Sequence, residues 1–411
     1  EPSFDYGAWE KSEYLPTPTI VEAAQALYRG HNVHDITRSD AGAENLTVTT
    51  EEINRIIDHS KANGRKSICF VTGVPGAGKT LVGLNIAIQR SDAQQGEHAV
   101  FLSGNFPLVT VLQEALARDK VEQEKLRGGR ISKSEALRST TAFIQIIHKY
   151  RDSFVGNNNI PPERVAIFDE AQRAWTQDMI EKFMATKKGV SPFPYSEPEF
   201  LISTMDRHQD WAVVICLVGG GQEINTGEAG LPEWFDSLRR AFPNWDVYIT
   251  PQLNDNEYRR DRSWHSMLEG LCTFERDELH LATSVRSFRT PDLAAFVKAV
   301  LDADTDKAIM LYQRIKNKYP IVITRDLHKA KDWVKAHCQG TTRYGLLASS
   351  GALRLKPEGI FVKNDISVAN WFLNGKDDVR SSYMLEDVVS EFDIQGLELD
   401  YSVVAWDADY R

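Results

Sequence analysis

The stretch Gly73-Val74-Pro75-Gly76-Ala77-Gly78-Lys79-Thr80 constrains this chain more than any other. It follows an apolar run, Ser67 to Thr72, that reads as a buried strand, and it precedes a helically periodic run, Leu81 to Ile88. Strand, glycine-rich loop and helix in that order call for a crossover fold, in which the chain returns to lay the next strand parallel to the first. The glycines let successive backbone N–H groups turn inward at a helix N-terminus, where the dipole favours negative charge. Gly73, Pro75, Gly76, Ala77, Gly78, Lys79 and Thr80 are therefore the expected phosphate-binding residues. Lys79 would reach the β and γ phosphates, and Thr80 would offer a hydroxyl to Mg2+.

Short apolar runs alternate with longer helical patterns through most of the chain, so the expected fold class is α/β with mostly parallel sheets. The strand candidates are Ser67 to Thr72, Ala99 to Ser103, Val165 to Asp169, Val213 to Val218, Asp246 to Thr250, Ile321 to Thr324, Tyr344 to Ala348 and Tyr401 to Trp406. At 411 residues the chain exceeds what one core usually serves, and two domains are expected. A turn-rich segment after Asn244-Trp245-Asp246-Val247-Tyr248-Ile249-Thr250 puts the boundary near residue 250, giving domains 46–250 and 251–411. Residues 1–45 read as an extension packed on the first domain, and the absence of an initial methionine suggests an excised or processed portion.

With 42 % hydrophobic and 26 % charged residues, the composition is that of an ordinary soluble protein, with no run of the ~20 apolar residues a membrane span needs. The 4 cysteines are too scattered for a disulfide framework or a zinc site, so cytoplasmic conditions fit. A formal charge of −10 argues against binding nucleic acid by bulk electrostatics, although a local groove can still be basic. The stretch from Lys125 to Lys133, which includes Arg127 and Arg130, is the clearest basic segment, and it reads equally as a solvated loop.

Val165-Ala166-Ile167-Phe168-Asp169-Glu170 is an apolar strand ending in two carboxylates. Alone it would suit a helix cap equally well. Beside a phosphate loop, Asp169 is placed to hold Mg2+ through its water shell, and Glu170 to orient the attacking water.

Asp169-Glu170-Ala171-Gln172 resembles the second ATPase motif of superfamily 1 helicases, and further matches follow in order. Gly219-Gly220-Gly221-Gln222 is similar to the third motif, which implies that Gln222 contacts the γ-phosphate. Leu281-Ala282-Thr283-Ser284-Val285-Arg286 resembles the fourth, which implies that Arg286 reaches that phosphate from the second domain. Gln395-Gly396-Leu397-Glu398 resembles the fifth, so Gly396 would approach phosphate or nucleic acid and Glu398 the ribose. Ser103 and Asn105 sit where the motif termed Ia meets a nucleic-acid backbone, and they serve equally well as a turn after a strand.

More narrowly, LSGNFPLV, DEAQRAW, LVGGGQEINTGEAGL and QGLELD are similar to the bacterial Schlafen-related helicase-like ATPases, over about residues 65–411. The resemblance implies two RecA-like domains, Mg-ATP as the cofactor and single-stranded DNA or RNA as the partner. It implies catalytic roles for Glu170, Lys79, Gln222 and Arg286. The alternative is an ATP-driven switch that controls an attached effector domain without translocation. Two departures stand out. Leu46-Thr47-Val48-Thr49-Thr50-Glu51-Glu52 holds the place of the adenine-reading segment without its usual glutamine. The sequence also stops at Arg411, before a sixth-motif arginine, so slow turnover is expected of these residues alone.

Overall fold

The computed structural model describes residues 18–407 apart from 32, 37–39, 75, 92–97, 221–227, 260–261, 284–289 and 341. Two compact units divide between Val285 and Arg286.

The first unit is built on one eight-stranded sheet. Its strands are β1 (Lys66–Gly73), β2 (Ala99–Ser103), β3 (Ile144–Ile146), β4 (Val165–Asp169), β5 (Ala212–Leu217), β6 (Asp246–Ile249), β7 (Cys272–Glu275) and β8 (His280–Leu281). The order is β3-β2-β4-β5-β1-β6-β7, β8 pairs with β1, and the strand pairings are parallel. β5 therefore separates the strand that enters the glycine loop from the strand that ends in the two carboxylates, and both deliver their C-terminal ends to one edge. A strand buried on both faces has no use for alternation, and β1 accordingly reads KSICFVTG with every residue after Lys66 buried.

Helices α1 (Ile20–Tyr28), α2 (Asp40–Asn63), α3 (Lys79–Gln89), α4 (Phe106–Leu126), α5 (Lys133–Phe143), α6 (Ile147–Phe154), α7 (Gln177–Phe183), α8 (Glu197–Asp206) and α9 (Gly230–Ala241) belong to this unit. α3 lies so close to the sheet that a Cβ on Gly83 would stand 2.7 Å from the Leu217 side chain and 3.0 Å from that of Ile167. α9 brings Trp234 and Phe235 onto Phe70, with ring centroids 6.5 and 4.8 Å away. Trp234 is fully buried, and its indole N–H donates to the Ala171 carbonyl at 2.9 Å, so its one polar atom is satisfied. α1 opens with a capping box, Thr19 and Glu22, and Arg29 at its end hydrogen-bonds Asp119 of α4 at 2.6 Å.

The second unit holds α10 (Thr290–Leu301), α11 (Thr305–Ile315), α12 (Leu327–His337), β9 (Tyr344–Ala348), α13 (Val368–Leu373), β10 (Val388–Val389) and β11 (Tyr401–Ala405). β9 pairs in parallel with β10 on one side and β11 on the other. Its core gathers Val334, Leu346, Leu385 and Val388. The fully buried Trp371 ring lies where a Cβ on Gly345 would be, at 2.5 Å.

The α/β class with mainly parallel sheets is as expected. The division differs from the expected boundary near 250, because β7 pairs with β6 and β8 with β1, which carries the first sheet on to Leu281. Ile321–Thr324 forms no strand: Ile321, Val322 and Ile323 are exposed, and without a paired neighbour an apolar run gains nothing from extension.

Candidate active site

The glycine loop leaves β1 and enters α3 with Gly76 at φ 73° and Gly78 at φ 92°, backbone angles that L side chains rarely adopt. Gly78 is the N-cap of α3 and provides no side-chain cap, so the first N–H groups of an eleven-residue helix keep their capacity for an anion. The Ala77 N–H donates to the Val74 carbonyl at 3.1 Å, closing the loop on itself. Lys79 Nζ donates to the Gly73 carbonyl at 2.8 Å, which holds the ammonium over the loop. Gly73 serves a different end: a Cβ there would meet Leu281 Cβ at 2.7 Å and the Leu281 carbonyl at 2.8 Å, so its smallness admits β8. Pro75 lies outside the described residues.

Strand register brings the second half of the site to this loop. Ser103 at the end of β2 stands beside Asp169 at the end of β4. The Thr80 hydroxyl donates to Asp169 Oδ1 at 3.1 Å, and the Ser103 hydroxyl to Oδ2 at 3.4 Å. Burial, and next the charge of Glu170, push the Asp169 carboxyl up to about 7 against these hydrogen bonds and Lys79. A buried carboxylate beside a hydroxyl, short of positive charge, suits a hard dication, which would return it to the ionised form. Among the described residues no group of three or more His, Cys, Asp or Glu could hold a metal. Two protein oxygens, with waters and phosphate to complete the shell, fit the habit of Mg2+.

Glu170 sits at φ 54°, a left-handed conformation uncommon for a residue with a side chain. Its carboxylate accepts a short hydrogen bond from the Gln172 amide, whose own carbonyl accepts the Gly219 N–H at 2.9 Å. Gln172 thus ties the carboxylate to the segment that follows β5. The far end of that segment is tied as well, because the Ala229 N–H donates to the Ala174 carbonyl at 2.6 Å and Trp175 bridges Glu228. Gln222 belongs to the stretch between these anchors and, like Arg286, lies outside the described residues. Gln172 is not among the expected site residues, although the fourth position of Asp-Glu-Ala-Gln is the available signal.

Ser103 differs from the expectation of a nucleic-acid contact: it is fully buried and supports Asp169. The Asn105 side chain accepts the Leu108 N–H at 3.2 Å and caps α4, while its neighbour Phe106 is 57 % exposed at the same strand end. In the basic loop Arg127 pairs with Glu124 at 3.6 Å and Lys133 with Glu114 at 2.6 Å, so local acids neutralise much of its charge. Arg130 is exposed. Gly396, at φ 77°, and the half-buried Glu398 lie in the second unit shortly before β11. No helix among the described residues is long and apolar enough to cross a membrane.

Comparison with curated proteins gives no match. Among solved structures, the helicase domain of Pyrococcus furiosus Hef is similar over 85 % of this chain and 88 % of its own, at 13 % identity. Its TM-score of 0.28 is too low to align individual residues. The family described as Schlafen group 3, DNA/RNA helicase domain, matches residues 66–411, and the chain therefore belongs to that helicase-domain family.

Proposed function

We propose that this chain is a nucleic-acid-dependent ATPase of the superfamily 1 helicase or translocase type. The observation that carries the reading is the meeting of Thr80 and Asp169, 3.1 Å apart, beside Lys79 and a helix N-terminus free of a side-chain cap. On this reading the loop N–H groups and Lys79 hold the β and γ phosphates, and Thr80 and Asp169 hold Mg2+. Bound Mg2+ would neutralise charge on the transferring phosphoryl group. Glu170, steadied by Gln172, orients water for in-line attack and takes its proton. Following their motif positions, Gln222 and Arg286 are proposed to address the γ-phosphate, Gly396 phosphate or nucleic acid, and Glu398 the ribose.

Membership in a DNA/RNA helicase-domain family supports a nucleic-acid partner. We place that partner at the C-terminal strand edge, near Asn105 and Phe106; Arg130, beyond the far end of the 21-residue α4, is too distant to share that contact.

The test is ATP turnover measured with and without single-stranded DNA or RNA, and whichever of the two stimulates turnover is the partner. Glu170→Gln should keep Mg-ATP affinity while turnover falls by at least ~10²-fold, the lower end for loss of a general base. Lys79→Ala should lose affinity itself. Glu170→Gln turning over ATP as fast as the parent would sink the assignment.

A further inference from the structure

The segment Leu46 to Glu52, which stands where a base-reading element is expected but lacks the glutamine, is occupied in another way. It forms part of α2, and three of that helix's side chains grip the chain between β7 and residue 283. Asn45 Oδ1 accepts the Thr283 N–H at 3.0 Å. The Thr49 hydroxyl donates to the Glu278 carbonyl at 2.6 Å, and Arg276 Nε donates to Glu52 Oε1 at 3.0 Å. Asn45, Thr49 and Glu52 are spaced i, i+4, i+7 and so share one face of the helix. Their partners run in the opposite sense, from 283 through 278 to 276, so the contacts form a ladder along that face. Thr49 is fully buried and the Glu52 side chain is 8 % exposed, while their partner side of the ladder is more open, with Arg276 40 % exposed.

The gripped segment is also joined to the phosphate loop. β8 pairs with the end of β1, the Val74 N–H donates to the Leu281 carbonyl at 3.1 Å, and Thr72 Oγ1 hydrogen-bonds His280 Nδ1 at 2.8 Å. The Gly73 carbonyl that holds Lys79 belongs to the residue paired with Leu281. Any shift of Lys79 from that carbonyl toward phosphate therefore bears on a strand whose other side is clamped by α2.

We propose that α2 is a latch that sets the register of β8 against the phosphate loop, with Asn45 as its positioning residue, so that the nucleotide state of the loop reaches residues 280–283. This deepens the proposed ATPase reading and rests on it for the identity of the nucleotide. The latch itself rests on the ladder alone.

The experiment is backbone hydrogen exchange on the full chain for parent, Asn45→Ala and Asn45→Asp, each without ligand and with Mg2+ and a non-hydrolysable ATP analogue. Loss of one net hydrogen bond corresponds to roughly a tenfold change in local opening. Without ligand, Asn45→Ala should exchange about tenfold faster at 280–283 while β4 and β5 stay as in the parent, and Asn45→Asp, which keeps an acceptor oxygen, should restore protection. With the analogue, parent and Asn45→Ala should both gain protection at 76–80, but only the parent should also change at 280–283. Equal exchange at 280–283 in the unliganded parent and Asn45→Ala overturns the latch. A change at 280–283 in both proteins on adding analogue overturns the coupling. An analogue that protects nothing in the parent refutes the nucleotide reading and with it the coupling, while the unliganded comparison still judges the latch.

Discussion

Two apolar runs of similar composition meet opposite fates in the two units. Ser67 to Thr72 lies within β1, paired with β5 and β6, and Ile68 to Val71 are fully buried. Ile321 to Thr324 adopts no regular element, and Ile323 is 96 % exposed. Branched residues fit an extended, half-buried surface, but the stabilisation comes from neighbours on either side rather than from the residues themselves. Local composition therefore marks where a strand is possible, and a partner strand decides whether it forms. The same contrast recurs inside the second unit, where β9, paired on both sides, is almost wholly buried, whereas β11 at the edge alternates between half-buried and exposed residues.

Removing an anchor of the first core has the largest expected effect. Trp234→Ala should cost ~3–5 kcal/mol, because a fully buried indole packed against Phe70 and Phe168 leaves a cavity that the sheet cannot close. Urea unfolding followed by far-UV circular dichroism measures it, and a cost below ~1 kcal/mol would mean that this core is loosely packed. Gly345→Ala puts the second core to the same question. Its Cβ would stand 2.5 Å from the Trp371 ring, so a loss of ~1–3 kcal/mol is expected in the same assay. No loss would show that Trp371 moves freely.

Asp169→Asn probes the C-terminal strand edge of the first sheet. The Asp169 carboxyl is raised to about 7 from an ordinary 3.8, so the folded protein holds its proton more tightly than the unfolded chain does. For an acid raised in this way the penalty is absent below about pH 4, grows as pH rises toward about 7, and is fully present above it. In Mg2+-free buffer Asn should consequently stabilise the protein at pH 8, on the order of 1 kcal/mol, and confer nothing at pH 4. Added Mg2+ should reverse the ranking by stabilising the parent alone. Thermal melts at the two pH values decide it; equal melting of the two proteins at pH 8 without Mg2+ would mean that burial does not burden the carboxylate.

The smallest effect is expected at the exposed run. Ile323→Ser should change stability by no more than ~0.5 kcal/mol, as surface substitutions usually do. A loss approaching that of Gly345→Ala would mean that the run is covered in solution.

Much of the first sheet, and part of the second, is legible in the order of residues alone. Val165 to Asp169, Ala99 to Ser103 and Tyr344 to Ala348 are strands with the expected bounds, since continuous apolar runs bounded by turns are the signature of strands buried on both faces. β3, β7, β8 and β10 are not legible. Each has only two to four residues, and β7 is mainly exposed, so none carries a pattern of its own. The expected domain boundary fails with them, because the turn signal near 250 is real but the chain returns to the same sheet twice after it.

Residue type, spacing and order along the chain suffice for the α/β class, for the glycine loop between β1 and α3 and for the pairing of an Asp-Glu strand end with that loop. They do not reveal that Ser103 serves Asp169, that Gln172 holds Glu170, that Gly73 makes room for Leu281, or that Asn45, Thr49 and Glu52 face residues 276–283. These arise from the packing of the folded chain, and the physical reason is separation. Apart from the local Gln172–Glu170 pair, the contacts join residues from 66 positions apart, at Ser103–Asp169, to 238 apart, at Asn45–Thr283. Pairs so distant are set by strand order and register, which no local pattern encodes.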